Sequence, residues 1–279
     1  MSEDILTGWS APTVARAIEA NFEEWWRYFR HAPQADVHEE RELLWLISGI
    51  PIKEYNGVAR ARFDPERTPE EIDSQITRIQ AYLAPYYLGI SWFIGPSTRP
   101  ENLGEHLEQH GFLCQGSAPG MAVQLEQLPR ALATPPQLEI VRVANESHLK
   151  EWAAVAGQAF GEPAAIQQAR CAVHAAFGFA EDAPLQRYVA RLDGQPVAMS
   201  ELFLAAGVAG IYDVATAPRA RSQGIGAAIT HAPLQMAQAR GYRIGVLEAS
   251  PMGEPVYRRL GFEECCRFTL YEWEPGAGS

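Results

Sequence analysis

One stretch constrains this chain more than any other: a β-branched run that breaks at a proline, passes a basic glycine-bearing turn and enters an alanine-rich helix. It reads Gly210-Ile-Tyr-Asp-Val-Ala-Thr-Ala-Pro-Arg-Ala-Arg-Ser-Gln-Gly-Ile-Gly-Ala-Ala-Ile229. Ile211 to Thr216 has the composition of a strand. Gly224 and Gly226 let backbone approach a ligand closely, and the first turn of the helix after them carries N–H groups that no helical carbonyl can accept. Arg219 and Arg221 add positive charge at the end where the helix dipole already favours anions. The stretch therefore predicts an anion site. It is not a P-loop, since no Gly-Lys-Ser/Thr closes it, and it lacks the third glycine and the later acid of a dinucleotide fingerprint.

A second block follows. Gly245-Val-Leu-Glu-Ala-Ser250 is strand-like, and Pro251 to Phe262 reads as a short helix carrying Tyr257 and ending on the glycine of Leu260-Gly-Phe262. The form Arg-x-x-Gly-x-Gly, Arg221 to Gly226, resembles the acetyl-CoA loop of the GNAT superfamily of N-acetyltransferases. The strand and Tyr257 helix resemble the next block of that family, in the right order and at the right distance.

The first half carries a fainter version of the same order. Thr68 can cap a helix that opens with Pro69 and runs through Ile72, Ile76, Ile79 and Leu83. Ile90 to Ile94 is strand-like, Leu103 to His110 helical, and Gly111-Phe112 closes it as Gly261-Phe262 closes the later block, 150 residues on. Strand-like runs follow both, Met121 to Leu125 and Arg267 to Trp273. This is a weak internal repeat. The join is Leu128 to Gln137, whose three prolines predict a stiff extended linker. Where the second half has its glycine loop, the first has Asp64-Pro-Glu-Arg-Thr-Pro-Glu-Glu71, with four carboxylates and no glycine. Like charge there repels a diphosphate, and Leu107 stands where the second half has Tyr257.

The expected domains are thus 1–130, a degenerate GNAT-like domain without an acetyl-CoA loop, and 138–279, a GNAT acetyltransferase domain. The fold class is α/β (α+β): a mixed, mostly antiparallel sheet with splayed parallel central strands, flanked by helices and duplicated. In the second half Glu139 to Val143 is strand-like, and Asn145 caps a helix to about Phe160. Another helix follows Pro163, and Asp193-Gly194 turns a hairpin of Arg187 to Leu192 and Pro196 to Leu204.

Composition narrows the partners. The net charge of −11 argues against non-specific nucleic-acid binding, which rests on Lys and Arg neutralising phosphates. No run has the length and apolarity of a membrane span or signal peptide, which makes cytoplasm the expected location. The four cysteines, Cys114, Cys171, Cys265 and Cys266, have no metal-site spacing and read as buried thiols of a reduced compartment. In the N-terminal helix, residues 1–31, Ile18, Phe22, Trp25, Trp26 and Phe29 form a core-facing stripe. Asp36 to Glu42 reads as a solvated helix start. Pro233 lies inside the helix after the loop and predicts a kink or break near Ile229–Thr230. His231 beside it reads as a surface residue.

The resemblance implies a chemistry. Two parallel strands, here Ile211–Thr216 and Ile244–Ala249, splay so that the pantetheine arm pairs with the open edge near Val214, Ala215 and Thr216. One N–H there stabilises the thioester oxyanion. The amides of Ser222, Gln223, Gly224, Ile225 and Gly226 hold the pyrophosphate with Arg219 and Arg221, and Tyr257 protonates the departing thiolate. Histone-type members place a basic glutamate on the strand at about the position of Gly210. No carboxylate stands there, so Asp213, Glu201, Glu248 or a chain of waters is the candidate base. Ser250 replaces an asparagine common in the family. The implied activity is acetyl transfer from acetyl-CoA to a primary amine of a small molecule or peptide. The alternative is a non-catalytic acyl-CoA-binding regulatory module. No metal is implied, and nothing in the sequence specifies an oligomeric state.

Overall fold

The computed structural model describes residues 5–86 and 89–275. In chain order the elements are α1 (Ala11–Tyr28), β1 (Asp36–Glu39), β2 (Leu43–Ile47), β3 (Asn56–Ala61), α2 (Pro69–Leu83), β4 (Ile90–Ile94), α3 (Leu103–Gln109) and β5 (Leu113–Gln124). Then come β6 (Leu138–Arg142), α4 (Glu146–Phe160), α5 (Ala164–Ala176), β7 (Leu185–Leu192), β8 (Gln195–Ala205), β9 (Val208–Thr216), α6 (Ile225–Ala239), β10 (Ile244–Glu248), α7 (Glu254–Arg259) and β11 (Glu263–Trp273). The fold is a mixed parallel and antiparallel sheet architecture flanked by helices. No helix among the described residues is long and apolar enough to cross a membrane.

Packing divides the chain into two compact units, each made of two segments. One joins Met1–Trp25 to Pro119–Cys266, and the other joins Trp26–Ala118 to Arg267–Ser279. These units do not follow the sequential division at 130 and 138. The first 25 residues and the second part of β5 group with the later half, and the end of β11 groups with the earlier one.

In the unit built mostly from the later half, strands run in the order β6-β7-β8-β9-β10-β5. Every neighbouring pair is antiparallel except β9 with β10. In the other unit the order is β1-β2-β3-β4-β11, again antiparallel save for one parallel pair, β3 with β4. Each unit thus has one parallel pair, and the helix between its strands, α6 or α2, makes the crossover that such a pair requires. The cores follow the predicted stripes. Ile72, Ile76, Ile79 and Leu83 of α2 pack with Trp45, Trp92, Leu107 and Phe112 in one, and Ile225, Ile229 and Leu234 of α6 pack with Ile211, Leu247 and Tyr257 in the other.

Local sequence accounts for most ends. Thr68 accepts from the Glu71 N–H while Glu71 accepts from the Thr68 N–H, a full capping box with Pro69 behind it. Asn145 caps α4, and Gly161 ends it in a left-handed conformation. Asp193 and Gly194 both take positive φ at the β7–β8 turn.

Five expectations need correction. The N-terminal helix begins at Ala11, not at the chain's start; residues 1–4 lie outside the described residues. Asp36 to Glu39 is a strand paired with β2, not a helix start. There His38 stacks flat on Trp45, with ring centroids 3.8 Å apart, and Asp36 accepts from the Tyr82 hydroxyl. Helix α6 runs unbroken past Pro233. The proline leaves the Ile229 carbonyl without its helical donor, and the Ser200 hydroxyl supplies one at 2.8 Å. That bond returns about 1 of the roughly 3 kcal/mol an interior proline costs, and fully burying Ile229 and Leu234 supplies about 1.5–3 kcal/mol each. His231 is buried and its Nε2 lies 2.7 Å from the Pro129 carbonyl. The cysteines are free, but Cys114 is exposed and the other three are half-buried.

Candidate active site

β9 and β10 pair only at Ala209 with Gly245 and Gly210 with Val246. Beyond that point β9 continues to Thr216 and β10 to Glu248, and among the described residues no backbone pairs with β9 on this side. The open edge therefore includes the predicted Val214, Ala215 and Thr216. Val214 packs against the α6 side of the sheet, and Ala215 faces the cluster under α4.

The loop after β9 is exposed from Arg221 to Gly224. Arg221 donates from Nε to the Thr216 carbonyl (3.1 Å) and from Nη2 to the Ala159 carbonyl (3.2 Å). Arg219 and Gln223 make longer bonds to the carbonyls of Pro196 and Arg219, each 3.4 Å. These side chains shape the loop through carbonyls, and the two arginines form no ion pair with a carboxylate among the described residues. Ser222 and Gly224 take φ of 62° and 78°. Gly224 is the N-cap of α6 and offers no side-chain cap. A Cβ there would sit 2.5 Å from the Ala133 carbonyl oxygen, so conformation and space both demand glycine. The side chain of Ile225 is buried, leaving its backbone as the part that faces the loop. Among the described residues, the N–H groups of Ser222 through Ala227 have no hydrogen-bond acceptor in the chain. Six amides without acceptors follow one another into a helix start, with two arginines just before them in sequence, which suits a diphosphate.

Tyr257 is buried on α7 beside Thr230 of α6. Burial pushes its pKa up to about 12, so the phenol keeps its proton through the neutral range. Ser250 accepts from the Gly253 N–H through Oγ (3.2 Å) and through its carbonyl (2.9 Å), which starts the turn into α7.

The three candidate carboxylates differ in surroundings. Glu248, where β10 leaves β9, has a covered Oε1 with no hydrogen-bond partner among the described residues. Burial, then the nearby Glu19 carboxylate, pushes its pKa up to about 8. Glu201 is wholly buried: Oε2 accepts from Trp25 Nε1 at 3.2 Å, and Oε1 lies 3.0 Å from His174 Nδ1. Burial raises it to about 7 against the opposing charge of Arg187, while burial and Arg187 hold His174 well below the usual histidine range. Asp213 takes a φ of 52° in a bulge of β9, with Oδ2 3.4 Å from Arg170 Nη1. His174, Glu201 and Asp213 each bring one ligand atom within 4.8 Å of the others. Arg170 already supplies a cation to that set.

Gly210 explains the missing strand glutamate. A Cβ there would meet Asn21 Oδ1 of α1 at 2.0 Å. Asn21 donates to the carbonyls of Phe203 and Ala205 and accepts from the Tyr212 hydroxyl at 2.7 Å. Trp25, one turn on, stacks on Tyr212 with centroids 4.6 Å apart. Asn21, Arg170, His174 and Ser200 were not singled out from the sequence. Only the paired placement of Arg170 and His174 at i and i+4, the two ionisable nitrogen side chains of α5, could have flagged any of them.

Residues 149–262 match the sequence model of the acetyltransferase (GNAT) family, whose general class of reaction is acetyl transfer. A search of curated proteins finds no match. Among solved structures the chain is similar to a GCN5-related N-acetyltransferase from Kribbella flavida. That match has 22% identity and a TM-score of 0.67, covering 95% of this chain and 96% of that one. It is also similar to a GCN5-related N-acetyltransferase from Sphaerobacter thermophilus (21%, TM-score 0.59, covering 88% and 77%). A third is a tandem GNAT protein from the clavulanic acid biosynthesis pathway (14%, TM-score 0.57, covering 89% and 86%). At these identities the likeness is one of fold.

Proposed function

We propose that residues 138–279 act as an acetyl-CoA-dependent N-acetyltransferase whose acceptor is a primary amine of a small molecule or peptide. The observation that carries this reading is the open edge of β9 leading directly into six amides without acceptors at the start of α6. The amides and Arg219 and Arg221 hold the diphosphate, and the edge at Val214 to Thr216 pairs with the pantetheine arm as an added strand does. Residues 1–130 are a degenerate copy, whose first helix contributes Asn21 and Trp25 beside β9.

The chemistry follows from the side chains. A neutral amine attacks the thioester carbon, forming a C–N bond while charge collects on the carbonyl oxygen, where an N–H of β9 stabilises it. The C–S bond then breaks, and the thiolate takes the Tyr257 proton. The amine's surplus proton goes to a base. We assign that role to Glu248 because its carboxyl lies at the parting of the strands, has an Oε1 with no hydrogen-bond partner among the described residues, and is pushed up to about 8. Glu201 is enclosed by Trp25 and His174, and Asp213 is engaged by Arg170, so both fit positioning better.

The second reading, an acyl-CoA-binding module without catalysis, draws on the absence of any carboxylate at Gly210, where Asn21 fills the space. A thiol-release assay with acetyl-CoA and a panel of amines separates the two. Amine-dependent release that falls at least about 100-fold in Y257F with unchanged acetyl-CoA affinity supports the enzyme. Tight acetyl-CoA binding without release for any amine supports the binding module.

A further inference from the structure

The β9 bulge is held by a buried network that the proposed chemistry does not use. Tyr212 lies opposite Glu201 and Ala215 opposite Met199, so Asp213 and Val214 together face Ser200 alone. Asp213 adopts the left-handed conformation, tolerable for aspartate but strained, and such strain persists only where the surroundings hold it. Those surroundings are on α5. Arg170, 1% exposed, reaches Asp213 from Nη1 and Glu162 from Nη2 (2.6 Å), with its guanidinium 5.8 Å from the centre of the Trp152 ring. One turn further, His174 meets Glu201 on β8. Arg187 in turn donates to the carbonyls of His174 and Gly178 at the end of the helix. One face of α5 thus grips both strands on either side of the bulge.

We propose that α5 is a clamp: Arg170 with Asp213, and His174 with Glu201, are positioning residues that fix the β9 bulge and so aim its backbone N–H at the acyl donor's carbonyl oxygen. The inference rests on the acetyl-transfer reading of this site. A buried arginine paired with a carboxylate, as Arg170 is with Asp213, does little for stability that apolar packing could not do. Here both pairs flank the one irregular point of the strand expected to contact the reacting carbonyl. An oxyanion donor displaced by a fraction of an ångström loses much of its worth, whereas diphosphate binding at the loop does not depend on it.

The test is the infrared band of acetyl-CoA labelled with 13C at the thioester carbonyl, bound to the full chain without acceptor and read beside kcat and acetyl-CoA affinity. In the unaltered protein the band shifts to lower frequency on binding. In D213G, which permits the left-handed backbone but removes the anchor, and in R170M, the shift shrinks and kcat falls about 10- to 100-fold. In both, acetyl-CoA affinity stays within about threefold. D213N, which tolerates the same conformation and still accepts from Arg170, restores most of both. Should R170M fail to fold by circular dichroism, D213G decides. An unchanged band and kcat in D213G overturns the clamp alone, whereas a band unmoved by binding in the unaltered protein overturns the acyl-donor site and the clamp with it.

Discussion

The two strand–helix connections that follow the parallel strands, β3 to α2 and β9 to α6, differ in how they use their backbone. At β3 the amides are consumed by the chain's own groups. Glu42 accepts from the Asp64 N–H, Asp64 from Glu66, Glu71 from Thr68 and Thr68 from Glu71, while Pro69 has no N–H to offer. The edge of β3 is consumed as well: Arg99 donates to the Ala61 carbonyl and accepts from the Phe63 N–H, and Arg62 bridges to it in parallel. At β9 neither happens. Among the described residues the edge stays open, the helix starts on a left-handed glycine, and six amides have no acceptor. Two similar frames thus diverge at one physical choice, between closing a helix start for stability and leaving it unsatisfied for a ligand. Unpaired amides are tolerable only where solvent or an anion reaches them, which is why the second loop is exposed.

The comparison breaks most sharply at Gly224. G224V adds a side chain where φ is 78° and where even a Cβ meets the Ala133 carbonyl, so acetyl-CoA affinity should fall by at least about 100-fold while the fold survives. Isothermal titration with circular dichroism as control reads both; retained affinity would mean the loop does not bind the donor.

Glu248 sharpens the chemical side of the contrast. Its carboxyl must be ionised to accept a proton, so kcat/KM should climb with pH until about 8, and E248Q should lose about 100-fold and the climb with it. The same shift has an opposite sign for stability. The folded state holds this proton between the ordinary carboxylate range and about 8, while the unfolded chain has released it. Stability therefore declines as pH rises through that window, and E248Q should melt higher than the unaltered protein at pH 8 and alike at pH 4. Thermal denaturation at both pH values checks it.

Making the second loop resemble the first should weaken it less. S222E places a carboxylate among the free amides, and acetyl-CoA affinity should drop about 10-fold at low salt, with partial recovery at high salt as screening sets in. The smallest effect is expected from opening the first connection. T68A removes the cap of α2 and should cost about 1 kcal/mol of stability in urea unfolding, with acetyl-CoA binding unchanged.

Much of this contrast was legible in the sequence because local chemistry decides it. Glycines in a basic loop, four carboxylates in its counterpart, Thr68 with Pro69, and the stripes of α2 and α6 all act over a few residues. What stayed hidden depends on contacts across long stretches of chain. Nothing near Gly210 announces that Asn21 lies against it, and nothing near Pro233 announces the Ser200 hydroxyl that keeps α6 whole. The stripe of α1 was correctly read as apolar, yet Trp25 and Asn21 also face β9, a role no periodicity encodes. Asp36 to Glu39 looked helical because its charges suit a helix start. It is instead a strand paired with β2, across which His38 stacks on Trp45. Arg99 closing the edge of β3 was equally silent.

The most direct measurement follows backbone amide resonances of the 15N-labelled protein as coenzyme A is added. The largest shifts are expected at Ser222 to Ala227, with Glu66 to Glu71 unmoved. Shifts at Glu66 to Glu71, or a silent loop after Pro218 with coenzyme bound elsewhere, would contradict that expectation.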